Sequence, residues 1–195
     1  PEYSKYAEGD KKGITIKHVL SMTAGLEWDE KISYADPKNS EIQMNSSEDA
    51  IDYVLKQRLV AKPGTVFNYS GGCTQLLVAL IKKATGSEAD VFTEKHLFGP
   101  LGITKYKWVK TKSGDPSGAS GLRLRSRDMA KIGLLMMQRG KWNGKQVLSQ
   151  NLVDDALTEH ISIVKEGDFE MGYGFQIWLP SFDVGGVRVS LKEFS

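Results

Sequence analysis

Several features that usually reveal a protein's function are scarce in this chain. It has one cysteine, Cys73, so no intrachain disulfide can form and cysteine usage reports no redox compartment. Its three histidines, His18, His96 and His160, are isolated and never approach a ligand spacing such as His-Glu-x-x-His, so no metal is expected. Apolar runs stay well below the ~18 residues needed to span a bilayer. The first residues, Pro1-Glu2-Tyr3-Ser4, have neither the basic nor the apolar segment of a signal peptide. Neither sign of charge dominates: 26 Lys and Arg stand against 24 Asp and Glu, interspersed, for a formal charge of +2. No nucleic-acid or membrane footprint follows, and the pairs Lys11-Lys12 and Lys82-Lys83 read as solvated faces. The glycines match neither a phosphate loop nor a dinucleotide fingerprint, so no cofactor is expected.

What is present is enough apolar sequence for a core: 40% hydrophobic residues with 26% charged ones fits one globular unit, or the larger piece of a two-part domain. The periodicity predicts a mainly helical α+β chain. Thr15 caps a helix with Ile16, Val19 and Leu20 on one face, stopped by Gly25. Ser47 opens a second helix carrying Ile51, Val54 and Leu55, and Lys62-Pro63-Gly64 breaks the chain after it. Residues 72–84 are apolar around most of the helix and predict one buried on several sides, ending at Gly86. Further helices start near Ser87, Ser126 and Ser149, and Trp142-Asn143-Gly144-Lys145 predicts a tight turn. Strands are expected at 107–109, 122–125 and 173–179, with an arm of unknown partner at 183–189.

The segment Pro63-Gly64-Thr65-Val66-Phe67-Asn68-Tyr69-Ser70-Gly71-Gly72 sets a tyrosine at a Gly-bracketed turn just before the buried helix. A phenol ordinarily titrates near 10 and serves as a base only where nearby cations lower it. No such cation is close to Tyr69 in sequence, so the fold would have to bring one; otherwise Tyr69 is a half-buried turn tyrosine. Cys73, four residues on, has no histidine partner in sequence and reads as an inert core thiol.

This segment, with Ile14 to Leu26 before it, Ala119-Ser120-Gly121-Leu122 and Ser126 to Gly133 after it, and Gly172 to Trp178 last, resembles the serine hydrolases that include class C beta-lactamases, penicillin-binding proteins and related esterases. The resemblance covers about residues 14–178. It implies the helical subdomain of the beta-lactamase/transpeptidase-like fold, Tyr69 as catalytic general base, and a small ester, amide or beta-lactam substrate attacked by a serine that an adjacent base activates. An exported or periplasmic setting is part of the same implication. Two departures stand out. Ala24 occupies a position where serine is usual, and Gly71 replaces the asparagine of the common Tyr-x-Asn pattern, which makes Gly71 a candidate substrate-binding position.

The family's Ser-x-x-Lys nucleophile motif precedes its tyrosine, and here no such motif does. The one formal match, Ser162-Ile163-Val164-Lys165, comes after Tyr69 without a helical pattern, and chance supplies about one or two such spacings. Lys110-Thr111-Lys112-Ser113-Gly114 likewise comes too early, and lacks the glycine, to be the closing Lys-Thr-Gly strand. The sequence therefore predicts residues 1–195 to be a single truncated domain, inactive alone and prone to self-association through an uncovered apolar face. A non-catalytic binding module on the same scaffold is the alternative.

Overall fold

The computed structural model describes residues 3–194, an α+β chain whose helices come first and whose largest sheet comes last. Two single 3-10 turns, Ser4–Tyr6 and Gly9–Gly13, lead into helix α1, Ile16–Leu20. Its start is the predicted one: the Thr15 hydroxyl accepts the His18 amide N–H, and His18 Nδ1 accepts that of Thr15, both at 3.3 Å. The helix stops at Ser21, before Gly25.

Helix α2, Ser40–Ser46, is not legible in the sequence. Asn39 starts it, its side-chain oxygen accepting from the amides of Glu41 and Ile42. Ser47 ends that helix and does not open the next. Asp49 caps α3, Ala50–Lys56, because its carboxylate reaches the amides of both Ile51 and Asp52 at 2.9 Å.

Helix α4, Gly71–Thr85, is the central element. Ser70 caps it by accepting from the Cys73 amide, and Gly86 ends it in the left-handed conformation that glycine adopts without steric cost. The short α5, Ala89–Thr93, runs into a π-helical turn at Glu94–Phe98. Helix α6, Ser126–Met137, begins at Arg125 without a side-chain cap, so Ser126 is its first residue and not its cap. Helix α7, Gln150–Ala156, is capped by Ser149.

Strands β1, Tyr106–Trp108, and β2, Leu122–Leu124, form an antiparallel pair. The turn at Asn143-Gly144 joins β3, Lys141–Trp142, to β4, Lys145–Gln146, with φ of 47° and 77° at its centre. The last five strands make an antiparallel sheet: β5, Ile161–Glu166; β6, Phe169–Tyr173; β7, Ile177–Val184; β8, Val187–Ser190; and β9, Glu193–Phe194. The first four pair in sequence order, and β9 also pairs with β7.

This sheet corrects the sequence reading in two ways. The strand expected at 173–179 is the corner of a hairpin, since Gly174 to Gln176 turn the chain between β6 and β7. The unpaired arm at 183–189 is the tip of the next hairpin, with β7 itself as the partner of β8. The chain thus carries more sheet than a helical subdomain implies.

Two apolar clusters hold the elements. The larger joins α1, α3 and α4 to the loop through Met22, Ala24, Leu26 and Trp28, and takes Tyr173 from the sheet. The smaller gathers Phe98, Leu101, Ile103 and Leu135 under β1 and β2. Between Arg125 and Lys131, Asp128 is fully buried and paired with both cations, which hold its carboxyl below the ordinary range.

Candidate active site

Tyr69 lies where three segments are tied together. The loop after α1 supplies the first two ties: the Met22 carbonyl accepts the Asn68 amide N–H at 2.9 Å, and the Thr23 carbonyl accepts that of Gly64 at 2.8 Å. The Asn68 side-chain amide then donates to the Trp28 carbonyl, also at 2.9 Å. From the other side, the β6–β7 corner is bolted down through Gln176. Its backbone and side-chain N–H groups both donate to the Leu20 carbonyl, and its side-chain oxygen accepts from the Thr74 hydroxyl on α4. A buried loop must satisfy its backbone polar groups internally, and these bonds do so while fixing the approach to Tyr69.

The ring of Tyr69 stacks on Trp178 of β7, centroids 5.6 Å apart and planes inclined by 22°. Phe67 packs on Tyr173 at 5.0 Å and on Trp178 at 5.5 Å, and Tyr173 meets Trp178 edge-on at 5.0 Å. Offset and edge-to-face pairs of this kind contribute about 0.5–1.5 kcal/mol each beyond their buried area. The phenol is therefore carried on a braced aromatic platform.

Beside it opens a cleft of about 650 Å³. Phe67, Tyr69, Trp178, Val66, Ile161 and Ile163 give it apolar walls, and Glu30, Lys31, Thr65, Asn68 and Ser162 are its polar lining. A concave apolar site with a few convergent polar groups is the usual form of a small-molecule site.

Gly71 is the first residue of α4, and the room expected beside a glycine is occupied. A Cβ there would lie 2.8 Å from the Cβ of Ala119, 3.2 Å from Glu30 Oε2 and 3.4 Å from Glu41 Oε2. Glu30 accepts hydrogen bonds from the Gly71 amide N–H and the Trp28 indole N–H, and a third from the Tyr34 hydroxyl at 3.1 Å. Glu41, buried on α2, accepts from the Ser120 hydroxyl at 2.6 Å. Burial pushes the Glu30 carboxyl above its ordinary range, and the neighbouring Glu41 pushes the same way, against the opposing pull of the Gly71 and Trp28 donors. The Tyr34 phenol is pushed up to about 12, by loss of solvent and then by the charge of Glu30.

Tyr69 and Gly71 are thus brought to one place, as the sequence pairs them. Glu30, Tyr34 and Glu41 join them there although they belong to no motif. All three sit in the stretch between Leu26 and Ser47, where charged and polar residues outnumber apolar ones and no local signal points toward Gly71.

The remaining candidates are structural or misplaced. Ser162 does line the cleft, but Lys165 is bonded to Glu170 on β6 and largely exposed, so the two do not form the one-turn helical pair that the chemistry needs. Lys110 pairs with Asp90, and Lys112 with Glu48, in the loop after β1. Burial pushes the Cys73 thiol up to about 11, which leaves it inert. His18 caps α1, His160 stacks on Phe175 at 4.0 Å, and His96 packs on Phe92 at 4.5 Å. Among the described residues no group of three or more His, Cys, Asp or Glu side chains is arranged to hold a metal ion, and no helix is long and apolar enough to cross a membrane.

The deciding comparison is with families: the model of the beta-lactamase family matches residues 2–187. The chain belongs to the beta-lactamase family. Among curated proteins, "Putative penicillin-binding protein PbpX" of Bacillus subtilis (strain 168) is 25% identical over 114 residues, 57% of this chain and 26% of that protein. Among solved structures, the "Putative 6-aminohexanoate-dimer hydrolase from Bacillus anthracis" superposes with a TM-score of 0.73 at 21% identity, over 97% of this chain and 55% of its own. The D-stereospecific amidohydrolase from a Streptomyces species gives a TM-score of 0.64 at 17% identity, over 96% and 65%. At these identities the structures share the beta-lactamase-type fold with this chain, which spans little more than half of the B. anthracis protein.

Proposed function

We propose that this chain carries the tyrosine-bearing part of a serine hydrolase site acting on an ester or amide through an acyl-serine intermediate, with Tyr69 as general base. The observation that carries this reading is the phenol's setting: at the entry to α4, stacked on Trp178, lining an apolar cleft large enough for a small acyl group. Membership of the beta-lactamase family supports the reaction class, and relatives named as an amidohydrolase and a penicillin-binding protein support the ester or amide substrate.

The serine and lysine of such a site are not among these residues in usable form. The sole Ser-x-x-Lys spacing is Ser162–Lys165, and it lies on a strand with its lysine engaged elsewhere. We therefore expect the 195-residue chain by itself to give no turnover of a p-nitrophenyl ester or chromogenic beta-lactam and no labelling by a serine-directed acylating probe. Labelling of Ser162 would overturn this assignment of the nucleophile.

In a protein that also contains a helical Ser-x-x-Lys segment, Tyr69→Phe should lower kcat by about 10²- to 10⁴-fold, the usual worth of a positioned general base. Its stability should hardly change. A kcat close to the parent's would return Tyr69 to a packing role, and ligand binding without any acylation would favour a non-catalytic module.

A further inference from the structure

The family pattern has an amide side chain two residues after the tyrosine, and here Gly71 supplies none. Two carboxyl groups from different elements converge on that place instead. Glu30, from the loop after Trp28, and Glu41, from α2, each bring an oxygen within 3.4 Å of where a Cβ at 71 would lie, which puts the two oxygens less than about 7 Å apart. Two like charges so close in a desolvated site cannot both ionise without a large electrostatic cost, so such pairs bind a proton between them.

We propose that Glu30 and Glu41 form a proton-sharing carboxyl pair that takes the place of the missing side chain at 71 and positions Tyr69. This rests on the reading of Tyr69 as the base. The bonding supports a positioning role because Glu30 is a hub: it accepts from the amide of Gly71, two residues beyond Tyr69, and from the indole of Trp28, whose ring packs against Gly72. Glu41 is braced in turn by Ser120 and by Asn45 on its own helix. The titratable and charged groups facing the pair are few. Tyr34 from the Glu30 loop bonds Glu30 and Cys73 from α4 feels its charge, while Lys31 and Tyr69 line the same cleft as Glu30. Tyr34 stays a donor throughout the neutral range, since its phenol is pushed up to about 12.

The sign of the pH effect follows from burial. A carboxyl whose proton is held more tightly in the folded than in the unfolded chain contributes stability at pH below its unfolded value. That contribution is lost as pH rises through the folded one. Ionisation of the pair puts the second charge beside the Gly71 turn, so the Tyr69 ring should register the same event.

The test uses the isotopically labelled 195-residue chain, with resonances of the Trp28 indole N–H, the Gly71 amide N–H and the Tyr69 ring followed from about pH 4 to pH 9, a span that brackets the ordinary carboxyl range on its upper side. All three should follow one transition with a common midpoint above the ordinary glutamate range. Glu41→Gln should lower that midpoint by about tenfold in proton affinity or more, because the like charge is removed. Glu30→Gln should erase the transition from all three signals. Separate midpoints for Trp28 and Gly71, or a midpoint untouched by Glu41→Gln, would overturn the pair. Titration of Gly71 and Trp28 with an unmoved Tyr69 would overturn the positioning role. The wild-type titration needs no variant to fold. No hydrolysis is read, so a negative result leaves the role of Tyr69 standing, and an inactive hydrolase assay leaves the pair standing.

Discussion

A methyl group at position 71 would meet the Cβ of Ala119 at 2.8 Å, a separation that real side chains do not tolerate, with two carboxylate oxygens close behind it. The backbone at Gly71 is not in the left-handed region, so glycine is required there for space and not for conformation. Overpacking of a filled site typically costs about 1–3 kcal/mol. Gly71→Ala should therefore lower stability by that amount in urea unfolding, and Gly71→Asn by no less, since its amide must also displace Glu30 or Glu41. An unchanged unfolding midpoint for Gly71→Ala would show that Ala119 moves aside at no cost. The residue itself is legible in the sequence as a departure from the Tyr-x-Asn pattern. Its reason is not, because the side chains that fill the space come from positions 30, 41 and 119, and no local pattern announces such convergence.

At the scale of elements, the helices announce themselves where a cap and an apolar stripe coincide. Thr15 before α1, Ser149 before α7, and the apolar run of α4 ending at Gly86 are such cases. Helix α2 escapes because its only apolar residues, Ile42 and Met44, stand two apart and make no helical stripe, and Asn39 sits in a polar loop that offers many equivalent caps. The hairpin between β6 and β7 escapes for a different reason. Its corner places Gln176 at φ 59°, where glycine or asparagine would ordinarily be expected, and the chain there reads as one continuous strand. Tertiary bonds offset the strain: both N–H groups of Gln176 reach the Leu20 carbonyl, and its side-chain oxygen takes the Thr74 hydroxyl at 2.9 Å. This makes an unusual ordering of variants. Gln176→Ala loses the side-chain bonds and keeps the strain, for a loss of about 1–3 kcal/mol. Gln176→Gly loses the same bonds and relieves the strain, so it should be the more stable of the two by about 1–2 kcal/mol. Thermal unfolding of the two variants side by side decides the matter, and Ala equal to or above Gly would mean that the left-handed backbone at 176 carries no strain.

For the whole molecule, the decisive quantities are the distribution of apolar surface and the small net charge. On the side of α4 formed with α1, α3 and the first 3-10 turns lies an apolar groove of about 910 Å³, with Ile14, Ile16, Leu55, Leu76 and Leu80 among its walls. Ile16 at its rim is 58% exposed. Exposed apolar surface beyond a few hundred Å² marks an interaction or aggregation site, and a formal charge of +2 gives little repulsion to keep copies apart. The existence of a buried α4 is readable from periodicity, whereas this groove arises from elements distant in sequence and is announced there only as an uncovered face. The chain should self-associate through this groove. Ile16→Glu places a charge on the rim without entering the core, so it should shift sedimentation toward the monomer and leave thermal unfolding nearly unchanged. A wild-type chain that sediments as a single monomer up to about 100 µM would show that the groove is closed enough in solution to need no cover.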